Sequence, residues 1–236
     1  MGVRFFRRVI GCIALMSSPM LASTITIQGT ANIFAAGQGS VSDGTLPPST
    51  PFAGSNLQLI FSSVTGLVNC CSSAPDSSPD GGFDAGGTTN INSLNGISGI
   101  VAPRTLFLVG LFDNGSVNAG AAPARLDFSA NQDTFTTLSP LLYQTFFIGD
   151  GRTGFNNAAG TAQVFAVPIG ATRLFLGFAD AYGFQGDPSY YFDNTGSLTA
   201  TFAITPAAEV PEPSTFLLTG LAGLLLATVR KYSPVL

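Results

Sequence analysis

Apolar stretches of strand length recur through the middle of the chain, each closed by a cluster of Gly, Pro, Asn or Asp. They predict β-strands over 24–28, 57–62, 105–112, 124–128, 144–148, 162–169, 173–179 and 197–204. The last of these alternates. Leu198, Ala200, Phe202 and Ile204 fall on one face, with Thr199, Thr201 and Ala203 on the other, the pattern of a half-buried antiparallel strand. Leu174, Phe175, Leu176 and Phe178 are apolar on both faces, which predicts a central strand. No amphipathic helical stretch of useful length lies between the termini. Strands without helices predict an all-β domain over 24–204: a two-sheet antiparallel β-sandwich, with a jelly roll as its expected form. Segments 36–54 and 72–96, dense in Gly, Ser, Pro, Asp and Asn, read as long exposed loops.

The two ends follow a different pattern. Arg4, Arg7 and Arg8 precede the apolar run 9–16, and Met20-Leu21-Ala22-Ser23 offers a small-residue cleavage site. This order predicts a signal helix over 1–23, removed after Ala22 or Ser23, and export through the Sec translocon. The apolar run is too short to span a membrane comfortably, which disfavours a retained anchor. At the other end Val210-Pro211-Glu212-Pro213-Ser214-Thr215 leads into the apolar run 216–229 and then Arg230-Lys231. As a helix, 214–229 would reach ~24 Å, slightly short of the hydrocarbon core but compatible with a transmembrane helix. The cations directly after it favour a cytoplasmic end, so the domain is expected outside the inner membrane. Residues 205–212 read as a Pro/Ala/Glu linker.

Pro211-Glu212-Pro213, a short hydrophobic helix and a basic cluster at Arg230 and Lys231 together resemble the PEP-CTERM sorting signal. The resemblance covers the last 26 residues, 211–236. It implies recognition and removal of the tail by an exosortase-type membrane peptidase. It also implies an origin in Gram-negative bacteria that make exopolysaccharide, and a final location at the cell surface or in the extracellular matrix.

Charge and composition narrow what the domain does there. Between residues 24 and 210 there are four arginines against eleven Asp and Glu209, a net charge of −8, and no Lys, His or Trp. Such a chain has no basic patch for nucleic acid. Without His, a Ser-His-Asp triad, a Cys-His pair and the common zinc sites are all excluded. A hydrolase built on paired carboxylates survives that filter, but no Asp pair has a spacing that forces the required separation, so a non-catalytic protein is expected. Oxygen-seeking cations such as calcium also survive it. Cys12 leaves with the signal peptide, and Cys70 and Cys71 are adjacent. In an oxidising compartment they are expected as a strained local disulfide, as unpaired thiols or as a link between chains.

The sharpest constellation lies late in the chain. Asp180 falls where one strand ends, and Asp193-Asn194-Thr195-Gly196 falls where the next begins. Antiparallel neighbours joined by this loop would bring three oxygen side chains to one edge. Asp-Asn-Thr-Gly is equally a good turn without any metal, because Asn and Gly tolerate positive φ. Here the sequence resembles calcium-dependent galactose-binding lectins of the bacterial jelly-roll type. The resemblance implies that Asp180, Asp193 and Asn194 are calcium ligands through their side chains and Tyr190 through its carbonyl. It implies a further carbonyl from Ser63-Val64-Thr65-Gly66, and a sugar whose hydroxyls bind the calcium. Aromatic side chains of the loop, Tyr182 and Tyr191 foremost and also Phe184 and Tyr190, are candidates for stacking on that sugar or for filling the core. Pro79-Asp80-Gly81-Gly82 and Gly149-Asp150-Gly151 read as turns. The expected function is an exported matrix protein that binds calcium and glycan. The alternative is a structural matrix protein without a specific ligand.

Overall fold

The computed structural model describes residues 22–71, 76–130 and 133–207. The chain divides into two compact units, Met1–Thr205 and Pro206–Leu236. The signal segment and the sorting residues Pro211, Glu212, Pro213, Arg230 and Lys231 lie outside the described residues. Among the described residues no helix is long and apolar enough to cross a membrane.

The described domain is all-β, its strands interrupted by short 3-10 turns. One sheet has five strands in the order β1 (Ser23–Gln28), β13 (Thr195–Pro206), β3 (Leu57–Asn69), β10 (Val164–Ala166) and β8 (Thr137–Leu138). A second runs β2 (Ser49–Pro51), β11 (Arg173–Gly177), β6 (Val109–Asp113) and β9 (Phe146–Phe147). A third runs β12 (Gln185–Gly186), β4 (Thr89–Ile91), β5 (Ile100–Ala102) and β7 (Leu126–Asp127).

Three sheets replace the two expected, and the pairing is not wholly antiparallel. β8 with β10, β4 with β12 and β5 with β7 are parallel. The parallel partners β7, β8 and β12 have two residues each, too short to show any alternation in sequence. The long strands behave as their patterns predict. Leu198, Ala200 and Phe202 of β13 are buried while Thr199 is exposed. β11 is buried from Leu174 to Gly177 and lies between β2 and β6. One core cluster collects side chains from all three sheets, among them Ile27, Leu59 and Phe202, then Phe112, Phe146 and Leu174, then Ile91 and Ile100.

Two segments expected as loops carry strands: β2 within 36–54 and β4 within 72–96. Ser63-Val64-Thr65-Gly66 is not a loop but the interior of β3, hydrogen-bonded into the sheet beside β13. A Cβ at Gly66 would collide with the Ser197 backbone, so glycine there serves close strand approach. The linker expected from 205 begins as strand, since β13 continues to Pro206.

Candidate functional site

Asp180 lies three residues past β11, and Asn194 directly precedes β13. Between them the chain folds through two 3-10 turns, Tyr182–Phe184 and Tyr191–Asp193. The edge β1 completes the frame: the Gly29 amide donates to the Gly196 carbonyl at 3.0 Å, and the Phe178 amide donates to the Ala31 carbonyl at 2.9 Å. Asp180 and Asn194 therefore meet at 2.8 Å, although β11 and β13 lie in different sheets and are not the antiparallel neighbours expected, and Asp193 lines the same pocket as Asp180.

The Asn194 amide group is fixed by its two donors. Nδ2 donates to the Gly29 carbonyl at 3.1 Å and to Asp180 Oδ2 at 2.8 Å. Its orientation is thus settled by the bonds it makes. The consequence is that Asn194 Oδ1 is buried without a partner, and Asp193 Oδ1 is buried without one as well. A buried acceptor left unpaired costs on the order of 1–3 kcal/mol, so two of them on consecutive residues call for an explanation.

Asp180 is 2 % exposed. Burial, opposed by the bonds from Asn194 and from the Ala181 amide and reinforced by the charges of Asp193 and Asp43, raises its pKa to about 7. Asp193 is also raised, by burial and by Asp43. Asp43 was not legible as a site residue, because it lies in the segment read as a plain loop. Its carboxylate accepts from the Phe192 amide at 3.0 Å, and its own carbonyl accepts from Asn32 Nδ2 at 3.2 Å. A concentration of negative charge with spare oxygens suits a proton or a hard cation. Among the described residues no group of three or more His, Cys, Asp or Glu has the spacing to hold a metal ion. The set at this edge is two carboxylates and an amide, with any further oxygens left to carbonyls or solvent.

The aromatic candidates separate sharply. Tyr191 is fully buried, its hydroxyl accepting from the Asp180 amide at 2.9 Å and donating to the Phe178 carbonyl at 3.3 Å. It is a core side chain that braces Asp180 and offers no face to a sugar, which corrects the expectation for it. Phe184 is buried too. Tyr182 is 73 % exposed, and it shares an open cluster with Tyr190 and with Phe192, which was not singled out in the sequence. Ring centroids are 5.2 Å apart for Tyr182–Tyr190 and 5.8 Å for Tyr190–Phe192. Tyr190 holds φ at 69° and Phe184 at 58°, left-handed values that bulky side chains adopt only at a cost in strain. Tyr182 and Tyr190 border a pocket of about 180 Å³ whose lining also includes Asp180, Asp193, Cys70 and Cys71.

Cys70 and Cys71 are free thiols with sulfurs 2.8 Å apart. Burial and its neighbour push the Cys70 thiol well above its usual range, so it is a poor nucleophile.

The two turns around Asp80 and Asp150 come together elsewhere. Asp80 is fully buried and accepts the Asp150 amide and the Asn156 amide, both at 2.7 Å. One carboxylate therefore fastens the whole 149–156 loop. No protein-family model, curated protein or solved structure matches the chain.

Proposed function

We propose that this is an exported, non-catalytic protein of the bacterial envelope or matrix, whose β-sandwich domain binds calcium and, beside it, glycan. The Sec translocon would export it, and an exosortase-type peptidase would process its tail. The motifs that support this address are those of the two ends. The domain, of jelly-roll type in this reading, presents its ligands on the segment that connects β11 of one sheet to β13 of another.

One observation carries the binding reading: Asp193 Oδ1 and Asn194 Oδ1 are buried and unpartnered, on consecutive residues of which the second bonds the Asp180 carboxylate through its Nδ2. Calcium takes six to eight oxygens and accepts carboxylate, amide and carbonyl together. Asp180, Asp193 and Asn194 would hold it through side chains and Tyr190 through its carbonyl, with water completing the shell. A cation there would relieve the repulsion among Asp43, Asp180 and Asp193. Tyr182, Tyr190 and Phe192 supply apolar ring faces next to that charge, the combination by which a sugar's C–H face and its hydroxyls are engaged at once.

The test is oligosaccharide binding by the full chain, followed by calorimetry in calcium and in EGTA. Binding is expected in calcium alone, and Tyr182→Ala should weaken it about tenfold, the loss of one stacked ring. Equal binding in EGTA, or a Tyr182→Ala chain that binds as the parent does, would sink this reading.

A further inference from the structure

The described residues expose five aromatic side chains, Phe83, Phe155, Tyr182, Tyr190 and Phe192, and these fall into two ring clusters. Three form the cluster beside Asp193. The other two, Phe83 and Phe155, meet edge to face at 5.8 Å on the rim of a second, larger pocket of about 630 Å³. A single turn, Asp84–Gly86, separates the pockets: Ala85 lines the first and Asp84 the second. That turn packs against the turn that carries Tyr182.

Single exposed rings are ordinary on a protein surface, but four of them lining two adjoining pockets, with Phe192 packed on Tyr190 beside them, mark a binding surface. The second cluster is also built, not loose. The Arg104 guanidinium lies 4.0 Å from the centroid of the Phe155 ring. Phe155 belongs to the loop that buried Asp80 fastens through the Asn156 amide. Phe83 is 66 % exposed and precedes a turn in which Ala85, Gly86 and Gly87 all have positive φ. Of the three only Ala85 is strained, two positions from a phenylalanine displayed to solvent.

Resting on the glycan reading above, we propose that Phe83 and Phe155 form a second stacking subsite, so that the ligand is an extended, uncharged polysaccharide spanning both pockets. Ring faces separated by a polar turn match a chain of sugar units, each with an apolar C–H face and a hydroxyl edge. Asp84, Ser77 and Asn156 line the second pocket and supply polar partners for those hydroxyls. Charge selects among polymers. Asp76 and Asp84 line the second pocket, and Asp180 and Asp193 the first. The arginines of the domain are already paired: Arg104, against the Phe155 ring, with Asp133, Arg173 with Asp113, Arg125 with Asn90, and Arg152 with the Gly160 carbonyl. A polyanion would meet carboxylates with no cation spare to receive it.

The experiment is affinity electrophoresis of the full chain through native gels containing galactomannan, hydroxyethylcellulose or alginate, with calcium present. The parent chain should be retarded by an uncharged polymer and pass freely through alginate. Phe83→Ala combined with Phe155→Ala should weaken retardation about tenfold. The same variant should keep its calcium-dependent oligosaccharide binding, because Tyr182 and its neighbours are untouched. Phe83→Tyr should restore retardation, and an unchanged unfolding midpoint would show that the exposed substitutions spare the fold. Retardation indifferent to Phe83 and Phe155, retardation by alginate alone, or capture of a protein that polysaccharide does not displace would each overturn the subsite. Loss of oligosaccharide binding in the parent chain would instead remove the glycan reading on which it rests.

Discussion

Replacing Asp133 with alanine is expected to lower the unfolding midpoint by roughly 10 °C, the largest effect of any single carboxylate in the domain. Asp133 pairs with Arg104 at 2.8 Å, and the two side chains are only 3 % and 8 % exposed. Removing the acid takes the carboxylate partner from a nearly buried guanidinium, which costs about 3–5 kcal/mol for a buried pair. In a domain of this length each kcal/mol moves the midpoint by about 2–4 °C. The penalty belongs to the stranded charge, not to the pair. Arg104→Met with Asp133→Leu should therefore recover most of the loss when both chains are compared by scanning calorimetry. A double variant as unstable as Asp133→Ala would show that the pair itself holds the domain together.

The calcium-free protein should be more stable at pH 4 than at pH 8, the reverse of ordinary acid denaturation. Burial raises Asp180 from the usual carboxylate range to about 7, and burial with the charge of Asp80 raises Asp150 to about 6. Asp80 and Asp193 shift in the same direction. Between the unfolded and folded pKa values the native state holds a proton that the unfolded chain has lost, so stability falls as pH rises. The contribution of Asp180 is fully present below about pH 4 and is lost by the time pH passes 7, on the order of 2–4 kcal/mol. Asp150 is half-buried, and solvent screening shrinks its share. Asp180→Asn should flatten the profile, measured as urea midpoints in EGTA from pH 4 to pH 8. A profile that rises with pH, or one that Asp180→Asn leaves unchanged, would contradict the assignment.

Much of this architecture was readable in the chain, for physical reasons that also mark the limits. Each segment expected as a strand overlaps one, because a strand facing the core must carry apolar residues at a recognisable period. The alternation of Leu198, Ala200 and Phe202 needed no structure to interpret. The third sheet was not legible: its strands have two or three residues, and its partners are set by tertiary contacts. The Asp180–Asn194 meeting was expected between neighbouring strands of one sheet, but β11 and β13 lie in different sheets and the two side chains meet through the connecting segment. Asp43 was not, since it arrives from a distant segment through a bond to the Phe192 amide. Tyr191 and Phe192 are consecutive and chemically alike, yet one is fully buried and the other 70 % exposed. A 3-10 turn decides which ring faces inward, and composition carries no trace of that choice. Phe83 and Phe155 lie 72 positions apart, so their pairing at 5.8 Å belongs to the fold alone.

The most direct measurement is thermal unfolding of the full chain at pH 8 in 10 mM calcium and in EGTA, with Asp193→Ala alongside. A ligand present at a hundredfold excess over its dissociation constant adds about 2.7 kcal/mol, which is roughly 5–10 °C here. The account predicts that calcium raises the midpoint of the parent chain by that amount and leaves Asp193→Ala unmoved. Identical midpoints in calcium and EGTA for the parent chain would contradict it, and would leave Asp180, Asp193 and Asn194 as the frame of a turn.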